Sequence, residues 1–163
     1  MWAGLEQQRE HIRQAGLELA PGELLAAATG RGARLEGITA VLLLTSEDDF
    51  NALASALLQG NVEGRVYRLA QPARSHGVVA PYTGAEILFG ADMTRSAVNR
   101  RYDDGAQIAT RAADGGTPAG HQTLLLIRTD GQLAAVTETS RPLPQAGDII
   151  VSLGPASPAA GPS

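Results

Sequence analysis

The sequence predicts an α/β protein: half of a doubly wound parallel sheet followed by a smaller α+β unit. Helical and strand patterns alternate over residues 4–70, which favours parallel strands joined by crossover helices. The run "GITAVLLLT" at 37–45 is continuously apolar, as in a strand covered on both faces, so we expect a central parallel strand there. Further along, Asp130-Gly131 stands between two apolar runs and predicts an antiparallel hairpin.

The first half begins with a helix over 4–15, with Leu5 and Ile12 at helical spacing and Gly16 at its end. A short strand at 17–19 and a short helix near 22–29 are expected before the central strand. A further helix over 47–59 carries an apolar stripe, and Gly60 closes it; the stripe consists of Phe50, Leu53, Ala54, Leu57 and Leu58. "RVYRLA" at 65–70 alternates like a strand nearer a sheet edge.

The second half is expected to form its own unit after a Pro- and Gly-rich connector. Thr94 or Asp92 is expected to cap a helix that runs to about Tyr102. The strands "AQIATRAA", the hairpin and "GDIIVSL" at 147–153 follow, and "GPASPAAGPS" reads as a disordered tail. The predicted divisions are a first half at 1–71, a connector at 72–90, a small α+β subdomain at 91–154 and a tail at 155–163.

Composition excludes several function classes. The chain has 163 residues, a net charge of −4 and 4% aromatic residues, so no nucleic-acid surface is expected. All 13 basic residues are Arg, which excludes Lys-dependent phosphate loops and Schiff-base chemistry. Without Cys there is no disulfide, thiolate metal site or cysteine nucleophile. No apolar run approaches the roughly 18 residues of a membrane span, and the polar N-terminus does not fit a signal peptide.

Three consecutive acids, Glu47, Asp48 and Asp49, follow the central strand. We expect them to favour the start of the next helix through its dipole, with Ser46 as the capping residue. A metal site would need carboxylates that converge from separate elements, and three adjacent residues point in different directions. Their position at the carboxyl end of a parallel strand nevertheless leaves ligand contact open, because ligands bind there in open α/β sheets.

The remaining polar candidates are better explained as surface or turn residues. No histidine stands four residues from another, so all three are expected to be solvated: His11, His76 and His121. Three acids beside glycine-rich turns are expected to shape those turns: Asp103, Asp104 and Asp114. Arg100 and Arg101 are expected to favour a helix C-terminus, and an anion site on them is the alternative.

The segment "ITAVLLLTSEDDFNALASALL" resembles the strand-then-helix segment of the RCK/KTN (TrkA-N-like) regulatory domains. In that family an apolar strand is followed by Thr, by polar or acidic residues, and by Asp and Asn; here these fall on Thr45, Asp48, Asp49 and Asn51. "REHIRQAGLELAPGELLAAA" and "RVYRLA" are similar to neighbouring family segments. The resemblance implies a partial Rossmann-like, RCK-N-type half.

The second half is similar to the cytosolic C-terminal extension of bacterial sodium/proton antiporters that carry an RCK-type domain. Both show an "LFG" turn, a helix, a strand, a hairpin and a closing P-x-x-GD strand, here with Pro144, Gly147 and Asp148. The resemblance covers about residues 5–155 and implies that the small subdomain is RCK-C-like.

The chain departs from the family at its beginning. The family's nucleotide site starts with a strand and a G-x-G-x-x-G turn, and this chain starts after both, with Trp2 and Ala3 near the place of the family's acidic residue. "GRGARLEG" at 30–37 is no substitute, because its third Gly is out of register. The resemblance therefore implies a truncated N-terminal end and weak or absent nucleotide affinity. It also implies a sheet that pairs its remaining strands directly, borrows a strand from a partner chain or exposes edges.

The leading functional hypothesis is a non-catalytic, cytosolic regulatory or assembly module of a sodium (cation)/proton antiporter. The resemblance implies a transmembrane antiporter domain as partner, a homodimer, no nucleic acid, and a place at the cytoplasmic face of the bacterial inner membrane. A nucleotide, NAD(H), AMP or ATP, would bind weakly through Thr45, Asn51 and, less strongly, Asp48. No catalytic or metal-binding residue is expected.

Two alternatives remain open. One is a fragment of a nucleotide-dependent oxidoreductase, for which the sequence shows neither a phosphate loop after a strand nor a Tyr/Lys pair. The other is a ligand-independent oligomerisation domain that associates through unpaired sheet edges.

Overall fold

Two sheets organise the protein in a computed structural model, which describes residues 1, 3, 5–18, 20, 35, 37–71 and 85–155. The sheets are a parallel one with strand order β1-β2-β3 and an antiparallel one with order β4-β7-β5-β6, so the predicted mixed α/β class is confirmed. The elements are α1 (Glu6–Gln14), β1 (Ala40–Leu43), α2 (Asp48–Leu58), β2 (Arg65–Arg68), β3 (Glu86–Ile87), α3 (Arg95–Asp103), β4 (Ala106–Ala112), β5 (Gln122–Ile127), β6 (Leu133–Ala135) and β7 (Ile149–Pro155). The helix predicted near 22–29 and the tail beyond 155 lie outside the described residues.

The first helix, α1, is confirmed and ends as predicted. Gly16 adopts a φ of 68°, a left-handed conformation that glycine takes without steric cost, and the Leu17 amide donates back to Ile12. Ile12 is buried, but Leu5 precedes the helix as its N-cap residue and stays exposed. The strand predicted at 17–19 is wrong at its described positions, because 17 and 18 continue this turn without strand pairing.

The parallel sheet reverses the expected order of its strands. The β1–β2 register runs from Ala40 opposite Arg65 to Leu43 opposite Arg68. On its other side β2 pairs with β3, which the end of the predicted connector supplies. Within the described part of the chain β2 is therefore the middle strand and β1 an edge strand, so the central position predicted for 37–45 and the edge position predicted for 65–70 are both corrected.

Helix α2 covers this sheet with most of the predicted apolar stripe, since Phe50, Ala54, Leu57 and Leu58 all pack in the core there. Ala54 and Leu58 are fully buried and pack with Leu43 and Val66. The buried positions are 51, 54, 55 and 58, spaced by three and four residues along one side of the helix. Leu53 lies on the opposite side of that face and is 53% exposed, so its predicted place in the apolar stripe is wrong.

The antiparallel sheet follows its predicted elements closely. Thr94 caps α3, its hydroxyl accepting from the Ala97 amide at 3.2 Å. The Asp-Gly hairpin is confirmed: Gly131 has a φ of 81°, and the Arg128 amide donates to the Gln132 carbonyl at 2.9 Å. Strand β7 lies between β4 and β5 and is antiparallel to both.

A buried ion pair fixes the approach to β7. Asp148 is 2% exposed, and its carboxylate accepts from the Arg128 guanidinium and, at 2.8 Å, from the Gln145 amide. Arg128 also donates to the Leu143 carbonyl at 3.1 Å. The closing P-x-x-GD segment is therefore held to the end of β5 by charge-assisted hydrogen bonds, which are stronger than neutral ones.

The two sheets meet at the segment that follows β3. Leu88 is fully buried in a cluster with Tyr67 of the parallel sheet and Ala135 of the antiparallel sheet, and it forms an antiparallel bridge to Thr137. Phe89 then turns the chain with a φ of 67°, which is uncommon for a bulky residue. Among the helices that the structure describes, none is long and apolar enough to cross a membrane.

Candidate functional site at the carboxyl end of the parallel sheet

Two of the three predicted ligand residues lie together where β1 ends. The Thr45 hydroxyl donates to Asn51 Oδ1 at 2.8 Å, and Asn51 Nδ2 donates to the Thr45 carbonyl at 3.1 Å. Asn51 is only 5% exposed, and Ser55 beside it, fully buried, donates from its hydroxyl to the Asn51 carbonyl at 2.8 Å. The amide and hydroxyl therefore brace the turn from β1 into α2.

The predicted cap of α2 is corrected. The N-cap residue is Glu47 rather than Ser46, and the Glu47 side chain makes no capping bond. Instead the Thr45 hydroxyl accepts from the Glu47 amide at 3.2 Å, closing a short turn of the kind that Ser and Thr favour. Thr45 can take this role because Asn51 holds its side chain in place.

The acids at the start of α2 do not form a described cluster. Glu47 and Asp49 are exposed to solvent. Asp48 occupies the first position of α2. Its contact with a ligand stays a prediction. Across the residues that the structure describes, no three His, Asp or Glu side chains come together as they would around a metal ion.

Arg95, which the sequence analysis missed, reaches this end of the sheet from the antiparallel half. Its guanidinium donates to the carbonyl of Leu44, immediately after β1. Beside it, Thr94 forms a parallel bridge with Ala70, just beyond β2. A cation at the first position of a helix opposes the helix dipole, and this unfavourable placement is the signal that could have singled out Arg95.

The chemistry available at this edge is binding. The N-terminus of α2 presents its positive dipole end and Arg95 adds a full positive charge, which attract an anionic group, while the acidic residues Glu47 and Asp49 in the same turn oppose it. Thr45 and Asn51 already satisfy each other, so a ligand that uses them must replace an existing hydrogen bond.

Tyr67 is a titratable group of the parallel sheet that lies in the shared core. Burial raises the pKa of its phenol, and the Glu86 carboxylate adds to the rise while Arg65 lowers it. Arg65 and Glu86 pair at 2.7 Å across the neighbouring strands. The phenol is thus kept in its neutral form beside the shared core.

The histidines differ from one another. His11 is exposed, as predicted, and His76 lies outside the described residues. His121 is half-buried, and its Nδ1 lies 3.3 Å from the hydroxyl of the buried Ser152, so its predicted solvated state is corrected. Ser152 is the middle residue of β7 and lies 31 residues from His121, so the local sequence does not reveal this contact.

Comparison of the chain with models of protein families, with curated proteins and with solved structures finds no match. Fold and site therefore define its class: a mixed α/β protein with a parallel three-stranded sheet and an antiparallel four-stranded sheet.

Proposed function

We propose that the protein is a non-catalytic regulatory or assembly module of the RCK type, the cytosolic part of a sodium (cation)/proton antiporter. In this proposal the parallel sheet is a partial Rossmann-like half and the antiparallel sheet is an RCK-C-like subdomain. The order of the motifs from Thr45 to Asp148 supports it. The single observation that carries most weight is the contact of Arg95 with Leu44, because it joins the antiparallel half to the ligand-binding edge of a parallel sheet.

The proposed mechanism is a coupling between ligand binding and the arrangement of the two halves. An anionic ligand at the end of β1 would compete with the Leu44 carbonyl for the Arg95 guanidinium. Binding would then favour one arrangement of the halves over the other only through its differential affinity for the two. In an antiporter that carries the module, this difference would bias transport.

The proposed ligand is a nucleotide, NAD(H), AMP or ATP. Calorimetric titration and thermal shift with each one are expected to show weak binding, with a dissociation constant of about 1 mM, because a Gly-rich diphosphate cradle is lacking in the sequence. Arg95→Gln should weaken it several-fold, while Arg100→Gln, the same charge change at an exposed site of the same helix, should not.

The titrations separate the parts of the proposal. Binding that is insensitive to Arg95→Gln would contradict the site. No binding by any of the four nucleotides would contradict nucleotide sensing and leave the assembly role. Hydride transfer to or from the nicotinamide nucleotides would contradict the non-catalytic assignment and favour the oxidoreductase alternative.

The proposed parent makes a genetic prediction. The DNA that precedes the coding sequence should hold a continuous reading frame for several apolar spans of about 20 residues each. Fractionation of cells should then recover the module with the inner membrane, on its cytoplasmic side. A preceding frame that encodes a different soluble enzyme would contradict the antiporter assignment.

Self-association without a ligand is the second candidate, and β4 favours it. This seven-residue strand is an edge strand of the described antiparallel sheet, and Ile108 on it is 63% exposed. Open edges of this length invite pairing with another chain. Light scattering over a range of concentrations should show dimers that Ile108→Lys converts to monomers, and a monomer at every concentration would contradict it.

A further inference from the structure

An open groove lies between the end of α3 and the neighbouring ends of β4 and β7. It encloses about 440 Å³ and is lined by Arg101, His121, Gln122 and Gly154, among others. An adjoining part is lined by Asp104, Gly105 and Pro155. The groove uses none of the residues at the carboxyl end of β1, so a ligand bound there is independent of the proposed function.

Arg101 is held in place by one nitrogen. Its Nη1 donates to Gln122 Oε1 at 2.6 Å, and Gln122 Nε2 donates to the Phe89 carbonyl at 3.2 Å. A guanidinium has five N–H donors, and among the described residues Arg101 makes no other side-chain hydrogen bond. The anchored side chain therefore keeps donors for a ligand while losing little rotamer freedom on binding.

His121 is fixed from the other side. Its Nδ1 faces the hydroxyl of Ser152, which is 2% exposed. The ring lies directly against Gly154, where an added Cβ would come within 2.4 Å of it. With Nδ1 engaged, Nε2 is the nitrogen left for the groove, and it has no partner among the described residues.

We propose that this groove binds an oxyanion of the phosphate type, the phosphoryl group of a small molecule or of a lipid headgroup. Arg101 presents the planar fork that matches two phosphate oxygens, and His121 Nε2 adds a third donor from outside α3 in the tautomer whose Nδ1 accepts from Ser152. Asp104 lines the adjoining part and opposes a negative ligand, so the affinity is set by the balance of these three groups. Arg100, which the sequence analysis paired with Arg101, is exposed and does not line the groove.

The test is a nuclear magnetic resonance titration of the full chain with inorganic phosphate at constant ionic strength. The amides of Gly120 and Gly154 and the side chains of Arg101 and His121 should shift together and saturate. Arg101→Gln should weaken binding about tenfold, and Asp104→Asn should strengthen it roughly threefold. Arg100→Gln removes the same charge from the same helix and should leave the affinity unchanged.

Several results would overturn the proposal: no saturable shift at these residues, equal loss in Arg100→Gln and Arg101→Gln, or weaker binding by Asp104→Asn. If Arg101→Gln does not fold, His121→Gln and Asp104→Asn test the same site with opposite expected signs.

Vesicles distinguish the two sources of phosphate. Flotation with phosphatidylcholine vesicles that contain phosphatidic acid should recover the wild type and Arg100→Gln but not Arg101→Gln if the ligand is a headgroup. Saturable inorganic phosphate binding without vesicle flotation assigns the groove to a small phosphorylated molecule.

Discussion

Each of the two sheets has one hydrogen-bonded pair of polar side chains where the chain enters or leaves a strand, and the two pairs differ in charge. At the exit from β1, Thr45 and Asn51 form a neutral hydroxyl–amide pair. At the entry to β7, Arg128 and Asp148 form an ion pair. Each pair satisfies one buried side chain, Asn51 or Asp148, but the removal of its partner leaves a desolvated charge only in the second case. The antiparallel sheet should therefore be the more sensitive to single polar substitutions.

The sheets also differ in the length of their ladders. Strands β4 and β7 pair over their full seven residues, from Ala106–Pro155 to Ala112–Ile149. Strands β1 and β2 have four residues each, and β3 has two. A short parallel sheet depends more on the helix packed against it, and α2 has the polar residues Asn51 and Ser55 on its buried side.

The largest expected effect comes from the residue that the two sheets share. Leu88→Ala should lower the free energy of unfolding by about 4 kcal/mol, because Leu88 is fully buried between Tyr67 and Ala135 and a cavity would remain. Chemical denaturation followed by circular dichroism measures it. The control, Leu143→Ala, changes a side chain that is 80% exposed and should cost less than about 0.5 kcal/mol.

The same experiment tests whether the comparison concerns one folding unit or two. Wild type and Leu88→Ala should each unfold in a single transition with coincident probes. Two separated transitions in the wild type would contradict the shared core, and each polar pair would then stabilise only its own sheet.

Breaking the Arg128–Asp148 ion pair is expected to cause the second-largest loss of stability. Asp148→Asn should cost about 3 kcal/mol, near the lower end for a buried ion pair, because the Arg128 side chain is still 23% exposed. Asp130→Asn removes an exposed charge from the hairpin turn but keeps the side-chain oxygen that accepts from the Gln132 amide, so it is the matched control. The double variant Asp148→Leu with Arg128→Met should be less destabilised than the sum of its single changes, and strict additivity would contradict a direct coupling.

Breaking the neutral Thr45–Asn51 pair should lower the free energy of unfolding by a smaller amount. Asn51→Ala should lower the free energy of unfolding by about 2 kcal/mol, since it removes both hydrogen bonds that the buried Asn51 side chain makes with Thr45. Asn61→Ala, which removes an exposed amide bonded to the Leu57 carbonyl, is the control and should cost about 0.5 kcal/mol or less. A loss from Asn51→Ala that equals that from Asp148→Asn would remove the distinction between the sheets.

What the sequence could predict also divides between the sheets. Turn chemistry at Gly131 and the cap at Thr94 are local, and both are confirmed. The order of β1 and β2 depends on which strand pairs with β3, and no local pattern encodes that choice.

In the candidate site, too, the local contact was predictable from the sequence and the long-range contact was not. Thr45 and Asn51 lie six residues apart across one turn and are brought together. The contact of Arg95 joins positions 51 residues apart, so it requires the packing of the two halves.

The smallest expected effect is on the free energy of unfolding at alkaline pH, through Tyr67 in the parallel sheet. Because burial raises the pKa of Tyr67, the ionised phenol is disfavoured in the folded protein. Its contribution to stability is fully present below the ordinary value of about 10 and is lost as the pH rises through the raised pKa. Lys and Cys are absent from the chain, so tyrosines dominate titration in this range. Between about pH 9 and 11, Tyr67→Phe should reduce the fall in the free energy of unfolding with pH. Tyr102→Phe, at a 68% exposed site, is the control and should leave the wild-type slope. Equal slopes in both variants would contradict a contribution of the Tyr67 charge to stability.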